Sequence, residues 1–421
     1  MLDHESVRGL RASAQALADG VREASAAAVV RRVFAIQAQD AMAADLGIRV
    51  RGRDITAAGI RAAYEDERSI VRGWFMRGTL HTIPSSDARW LLRLLAPRIL
   101  AATSRRYHQL GLDEGLRERA DRLARRALAT HGPLTRPELT EHLAAVGVQP
   151  DGQVPFHLIR HAALTGVLCH GPRRGDEATY VLLDDWLPAG AGDSWREEDT
   201  AVAELARRYV RAHAPVGVDD FATWSGLPVT LARRAWKTLV QTGSITEYGA
   251  LSVPTERMEE LRDSPGTLDV RMLPAYDNYL VGYRGRELSV PAAHHGRVWP
   301  GGGVIRPTVV ADGLAIGTWA RRDAGRPSSS PAWTAWRADH HGGDVDELPR
   351  LAVVFDRPAG PRRRPVVDAA PEFGPESDQG VVDVGDVGAV RHRGQVARRA
   401  RTPPCGSWPA TGTRSGRWAT R

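Results

Sequence analysis

Apolar positions at helical spacing alternate with short strand-like runs along the chain up to about residue 326. The spacing predicts helices over residues 6–18 and 24–36, followed by a hairpin whose strands are 69–74 and 76–83. Ser85-Ser86-Asp87 is typical of a helix N-terminus, and Trp90, Leu91, Leu94 and Leu95 follow at helical spacing. Helices followed by a hairpin indicate a winged helix.

An internal repeat supports this interpretation. Two segments share an order of helix, turn, helix, turn, helix and strands, with matched residues 82 apart at first and 77 apart later. The matches are Ala124-Arg125-Arg126 with Ala206-Arg207-Arg208, His131 with His213, Pro133 with Pro215, Leu139 with Phe221, and Thr165-Gly166 with Thr242-Gly243. Chance similarity between helices rich in Arg and Ala is the alternative, and the matched His and Pro at the helix end argue against it.

The remaining sequence divides into a β-rich region and a tail. Strand-like runs at 270–273, 304–310 and 314–319, with a turn at Asp312-Gly313, predict a small β unit. The predicted fold is therefore α+β and mostly helical, with three tandem winged-helix units over 1–110, 111–195 and 196–263. A β unit over 264–326 and a tail over 327–421 complete it.

The tail has a different composition from the rest of the chain. Residues 327–421 contain two Leu, no Ile, eleven Pro and eleven Gly, so they cannot bury enough apolar surface to offset the entropy lost on ordering. Two interpretations remain open. One is a disordered basic tail that binds DNA without sequence preference, and the other is a translated frameshift in GC-rich coding sequence.

Composition and charge narrow the functional classes. Charged residues make up 25% and hydrophobic residues 42% of 421 residues, which is typical of globular proteins, and no apolar run has the length of a membrane span. The first residues lack the pattern of a secretory signal, so a cytoplasmic location is expected. The eight Arg that follow residue 390 account for the whole net charge of +7, so residues 1–390 are near neutral. Any DNA-binding surface must therefore be a local patch.

Most familiar catalytic motifs are missing. Two cysteines provide neither a disulfide framework nor a zinc site, and His294-His295 lacks partners at metal-ligand spacing, so we expect no metal and no cofactor. A strand rather than a helix follows Gly301-Gly302-Gly303, which is unlike a phosphate-binding loop. Lys237 is the only lysine, so almost no amine is available for Schiff-base chemistry.

One candidate site remains at Gln37-Ala38-Gln39. Two amides separated by one residue would diverge on a helix, but they share a face if the helix ends near Ile36 and the chain extends. Two carboxamides on one face could hold one water or one phosphate. The alternative is an ordinary polar helix end.

Four motifs, in order along residues 1–326, closely resemble the AlkZ/YcaQ family of winged-helix DNA glycosylases. They are Ile36-Gln37-Ala38-Gln39-Asp40, the segment from Arg72 to His81, the segment from Leu273 to Leu280, and Gly301-Gly302-Gly303-Val304-Ile305-Arg306-Pro307-Thr308. The resemblance implies three tandem winged helices and a β unit in a C shape around a DNA channel. It also implies removal of alkylated, mostly N7-substituted purines, and in some members the unhooking of interstrand crosslinks. The sequence departs from the family after residue 326, where an apolar strand and a closing helix are expected.

The resemblance also assigns roles to residues. Gln37 and Gln39 match the two-Gln form of the catalytic element, which is often linked to self-resistance against DNA-alkylating natural products. Asp40 is interpreted as structural, and Arg72, Arg77, His81 and Arg306 are the expected DNA contacts. The alternative at His81 is a histidine that packs in the interior, and the alternative at Arg72 and Arg77 is a solvated surface arginine. The implied partner is double-stranded DNA with alkylated bases, bound by a monomer located with the nucleoid.

A transcriptional regulator without enzymatic activity is the alternative, because winged helices usually bind DNA without chemistry. A regulator would expose base-reading side chains on a recognition helix and would usually dimerise. The candidate helices at 154–164 and 229–240 instead carry apolar residues such as Phe156, Ile159, Leu231 and Trp236, and no strong dimerisation heptad is present. The sequence therefore favours the glycosylase.

Overall fold

A computed structural model of the chain describes residues 3–18, 20–175, 177–187, 197–257 and 270–320. Over these ranges the protein is a mostly helical α+β structure, as predicted. The expectations for residues 327–421, a disordered tail or a translated frameshift, concern residues outside these ranges. No helix within them combines the length and the apolar character that crossing a membrane requires.

The N-terminal part places five helices around a three-stranded antiparallel sheet with strand order β1-β3-β2. Its helices are α1 (His4–Ala14), α2 (Ala26–Val33), α3 (Ala41–Val50), α4 (Ala57–Glu65) and α5 (Ala88–Gln109), and its strands are β1 (Ile36–Gln37), β2 (Ile70–Trp74) and β3 (Leu80–Pro84). The predicted hairpin is confirmed as β2 and β3, with the short turn Met76–Gly78 at its tip. The helix predicted over 24–36 was too long, because Phe34 leaves helical geometry with φ 12° and ψ 100°.

The next two parts contain the internal repeat. The first copy comprises α6 (Glu114–His131), α7 (Arg136–Leu143), α8 (Val154–Leu164), α9 (Leu183–Trp186), β4 (Leu134–Thr135), β5 (Leu168–His170) and β6 (Thr179–Leu182). The second comprises α10 (Glu198–His213), α11 (Val218–Ser225), α12 (Val229–Gln241), β7 (Ile245–Tyr248) and β8 (Leu251–Pro254). The matched residues His131 and His213 end α6 and α10, so the predicted alignment of the two copies is confirmed.

The last described part is a three-stranded antiparallel sheet with strand order β11-β10-β9. It contains β9 (Arg271–Leu273), α13 (Asn278–Val281), α14 (His295–Val298), β10 (Thr308–Ala311) and β11 (Leu314–Thr318). The strand predicted over 304–310 begins four residues later than expected, because Gly301 to Gly303 all have positive φ and the chain turns there. A small β unit is nonetheless present, as predicted.

Several parts of the described chain pack against the hairpin of β2 and β3. One apolar cluster joins its residues Val71 and Ile83 to α5 and to Tyr209 and Trp224 of the second repeat copy. At the hairpin tip, an Arg160 Nη atom donates to the Gly78 carbonyl at 3.2 Å, so α8 of the first copy also holds this turn. The strand that carries the glutamines is therefore attached to a framework to which several parts of the chain contribute.

Candidate functional site

The Gln-Ala-Gln motif lies on an edge strand rather than on a helix. Strand β1 pairs antiparallel with β3, with Gln37 opposite His81, and the Ala38 amide donates to the Leu80 carbonyl at 2.8 Å. The chain is extended again at Asp40, which has φ −105° and ψ 120°. The helix ends before the motif and the chain is extended there, which is the condition under which the two amides share a face.

The two glutamines lie on the more accessible side of this segment. Ile36 and Ala38 are buried whereas Gln37 and Gln39 are half-buried, and this alternation is typical of extended chain with one face on the core. Gln37 Nε2 donates to Thr79 Oγ1 at 3.4 Å, so one carboxamide is held by the hairpin. The Gln39 carboxamide has no hydrogen-bond partner in the described part of the chain, so it is available to a ligand.

Asn278 fastens the motif to the β unit. Its Oδ1 accepts a hydrogen bond from the Gln37 amide at 2.8 Å, and its Nδ2 donates to the Ala35 carbonyl. The side chain is only 3% exposed, so both contacts are interior. Asn278 had no predicted role, although the residue lies in one of the four segments that carried the family resemblance.

A buried ion pair holds the same segment beside α3. The Arg51 guanidinium binds both carboxylate oxygens of Asp277, at 2.8 and 2.7 Å, and both side chains are almost fully buried. Arg51 also donates to Gln15 Oε1 at 3.1 Å, and Gln15 Nε2 donates to the Tyr283 hydroxyl at 3.0 Å. Loss of one partner would leave an uncompensated charge in the interior, so this network fixes α1, α3 and the β unit together.

Arg77 contacts the motif from the hairpin tip. It adopts φ 58°, which is unusual for a residue other than glycine, and its guanidinium donates to the Trp224 carbonyl and lies 3.5 Å from Gln37 Oε1. Arg77 is exposed as a whole, but desolvation of its guanidinium lowers its pKa to about 10, so the group stays charged at neutral pH. The guanidinium expected to bind phosphate is thus engaged with Gln37 and with α11.

The positions of Arg72 and His81 correct the expectation that they contact DNA. Arg72 is 7% exposed and its Nε donates to the Ala38 carbonyl at 3.0 Å, so it supports the motif from within. His81 is 1% exposed and its Nδ1 donates to the Thr79 carbonyl at 3.0 Å. Burial, and then the charge of Arg77, lower the pKa of His81 to about 3, so it is neutral at physiological pH. The sequence placed both residues on the right hairpin but could not show which way they face.

Two further predicted residues differ in position. Asp40 caps α3, accepting a hydrogen bond from the Ala43 amide at 2.9 Å, which confirms its structural interpretation. Arg306 is exposed on the segment that follows Gly301-Gly302-Gly303, with its amide bonded to the Val298 carbonyl at 2.9 Å. Of the four expected DNA contacts, Arg306 is the one with an exposed side chain and no side-chain partner within the described ranges.

The two glutamines can bind and orient a small neutral nucleophile. In the described residues no three His, Cys, Asp or Glu side chains lie close enough together to hold a metal ion. A carboxamide both donates and accepts hydrogen bonds, so the two glutamines can orient a water molecule without a change of charge.

Comparisons with known proteins agree with this picture. The model of the AlkZ-like DNA glycosylase family matches residues 30–347, which extends beyond residue 326. A curated relative from Streptomyces sahachiroi, described as an interstrand DNA cross-link repair glycosylase, is 28% identical over 321 residues, or 70% of this chain and 82% of that protein. The solved structure of Streptomyces sahachiroi DNA glycosylase AlkZ matches with a TM-score of 0.63 and 25% identity, covering 82% of this chain and 93% of that chain.

Proposed function

The chain belongs to the family of AlkZ-like DNA glycosylases, and we propose that it hydrolyses the N-glycosidic bond of N7-alkylated purines in double-stranded DNA. We extend the proposal to purines joined in interstrand crosslinks, because the Streptomyces sahachiroi relative is described as a cross-link repair glycosylase.

One observation supports the proposal above the others. Gln37 is held in place by Thr79 and Arg77, whereas Gln39, two residues along the same extended segment, keeps its carboxamide available. A site that positions water needs a rigid frame and an accessible hydrogen-bonding group, and this pair provides both.

The chemistry of the proposed substrate fits neutral side chains. An N7-alkylated purine carries a positive charge, so it departs without a strong general acid. As the C1′–N9 bond breaks, its electron pair goes to N9 and neutralises the base, while positive charge develops on the sugar. Water then forms the new bond to C1′ and releases its proton to solvent. In this scheme Gln39 orients the water and Gln37 completes its hydrogen bonding.

DNA binding in this proposal uses three winged-helix units acting as one monomer. Their helices would be α1 to α5, α6 to α8 and α10 to α12. The corresponding strands would be β1 to β3, β4 to β6, and β7 with β8. The exposed Arg306 is the proposed phosphate contact near the motif, and Arg77 becomes a positioning residue for Gln37. Of the two helices that a regulator could use to read a groove, α8 has nine of its eleven residues buried, whereas α12 has five of thirteen buried.

The proposed reaction stops at an abasic site. A lyase step needs an amine to form a Schiff base with the sugar, and Lys237 is the only lysine of the chain. Lys237 is exposed on α12, outside the set of elements that surround the glutamines.

Base release is the direct test of the proposed function. Purified protein is incubated with duplex DNA that carries N7-methylguanine, and separately with an N7-linked interstrand crosslink, and the freed base or separated strands are quantified. The proposal expects release from damaged DNA and intact backbones until heat or alkali cleaves the abasic sites. Binding to DNA without any release would favour the regulator instead.

A further inference from the structure

We infer that Tyr276 contacts the alkylated nucleotide, presenting its aromatic ring to the cationic base beside the two glutamines. This inference rests on the proposed function, since it names the residue that would distinguish a damaged purine from an undamaged one. Tyr276 lies in a segment that resembles the family, and no role was predicted for it.

The path of the chain places Tyr276 next to the motif. The segment from Pro274 to Asn278 contacts both α3 and the strand that carries Gln37. Pro274 and Asp277 approach Gly47 so closely that a Cβ built there would lie 3.6 and 3.7 Å from them. At the other end Asn278 bonds the Gln37 amide. Tyr276 is two residues from Asn278, which holds Gln37, and it lies close enough to Asp40 for that carboxylate to raise the pKa of its phenol.

The backbone of Tyr276 indicates a functional reason for its side chain. Its φ is +59°, in the left-handed region that a bulky L-residue adopts only at a cost in free energy. The contacts of Asp277 with Arg51 and of Asn278 with Gln37 fix the following residues, so the conformation is imposed from outside. Glycine or asparagine would meet the same demand with less strain, and residues held in this way concentrate at functional sites.

The side chain of Tyr276 is available for a ligand. The other tyrosines of this region use their hydroxyls internally, Tyr279 with the Gly313 carbonyl and Tyr283 with the His213 carbonyl. Tyr276 is half-buried, and no hydrogen bond or ring contact to it occurs in the described part of the protein. Burial, followed by the negative charge of Asp40, raises the pKa of Tyr276, so the phenol stays neutral.

The chemistry of this position suits a cationic aromatic ligand. A tyrosine ring attracts a cation to its face, and the nearby Asp40 carboxylate adds negative potential. An N7-alkylated purine is planar and positively charged, whereas an undamaged purine is planar and neutral. The ring would therefore favour the damaged base both by stacking and by electrostatic attraction.

The test compares Tyr276→Gly and Tyr276→Phe with wild type and with the control Asp312→Gly. Asp312 also has positive φ, +50°, but it lies in the turn between β10 and β11. Strand β10 begins at Thr308, which pairs with Leu273 beside the Tyr276 segment, and Asp312 follows the opposite end of that strand. Affinity is measured for duplexes with and without 2′-fluoro-N7-methylguanine, whose glycosidic bond resists hydrolysis. Base release is measured in single turnovers on N7-methylguanine DNA without the 2′-fluoro group. Thermal unfolding is measured for each protein.

We expect Tyr276→Gly to reduce the preference for damaged over undamaged DNA by about 10-fold and to slow base release. Its thermal midpoint should stay within about 3 °C of wild type, because relief of strain offsets loss of the half-buried ring. Tyr276→Phe and Asp312→Gly should keep both the preference and the rate. An unchanged preference in Tyr276→Gly would overturn the inference. Absence of base release from wild type would count against the proposed function instead, and the affinity comparison would still decide the role of Tyr276.

Discussion

Replacement of Asn278 by alanine tests whether the β unit positions the catalytic segment. The substitution removes the partner of the Gln37 amide and of the Ala35 carbonyl, both in the protein interior. A buried polar group left without its partner costs roughly 1–3 kcal/mol, so two such groups put the expected loss of unfolding free energy at about 2–6 kcal/mol. That is a large part of the stability of an ordinary domain, roughly 5–15 kcal/mol. The lost hydrogen bonds are at Ala35 and Gln37, so the strand that carries Gln37 loses its support.

The measurement combines urea denaturation with single-turnover base release at a temperature where the variant remains folded. We expect Asn278→Ala to lower both the denaturation midpoint and the rate, with little change in affinity for undamaged DNA. Ser252→Ala is the matched control. Ser252 Oγ accepts a buried hydrogen bond of 3.1 Å from Trp236 Nε1, and neither residue contacts the motif in the described part of the chain. The control should lose stability and keep its rate per folded molecule. An Asn278→Ala protein that is destabilised but releases base at the wild-type rate would refute the reasoning.

Three further predictions concern pH, DNA affinity and reaction type. Folding lowers the pKa of His81 and His213 to about 3 and that of His170 well below its ordinary value, in each case chiefly through burial. The unfolded chain therefore binds more protons below pH 6.5, and near pH 5 His81 and His213 should each lower the unfolding free energy by about 2 kcal/mol; a denaturation midpoint that stays constant from pH 7 to 5 would contradict this. Arg306→Ala should weaken binding to all duplexes and reduce the slope of log affinity against log salt by about 0.9, and titrations at several salt concentrations measure this. Borohydride should trap no covalent adduct with abasic DNA, and an adduct that depends on Lys237 would show lyase activity.

The sequence predicted the elements better than the contacts between them. The 82-residue repeat aligned the ends of α6 and α10 at His131 and His213, because helix length and the following turn are local properties. The extension of the chain at Gln37 was also foreseen. Local periodicity cannot determine, however, which face of a hairpin is covered by a distant part of the chain, and Arg72 and His81 were therefore expected at the surface although both are buried.

The residues that hold the site were not predicted for a similar physical reason. Asn278 reaches Gln37 across 241 positions of sequence, and Asp277 reaches Arg51 across 226. A single polar side chain has no periodicity from which such a contact can be inferred. The resemblance of the segment containing Asp277 and Asn278 to a known family was the one available signal, and it gave the position without the partner.

The catalytic role of the glutamine pair is the central claim, and single-turnover release of N7-methylguanine by Gln37→Ala and Gln39→Ala tests it most directly. Each variant should slow release by about 10²-fold or more, the scale of losing one group that orients water or stabilises charge. Affinity for undamaged DNA should change little, because phosphate contacts dominate that affinity. The unfolding midpoint of Gln39→Ala should also change little, because Gln39 makes no internal hydrogen bond within the described residues. Release at the wild-type rate by the folded Gln39→Ala variant would contradict the account.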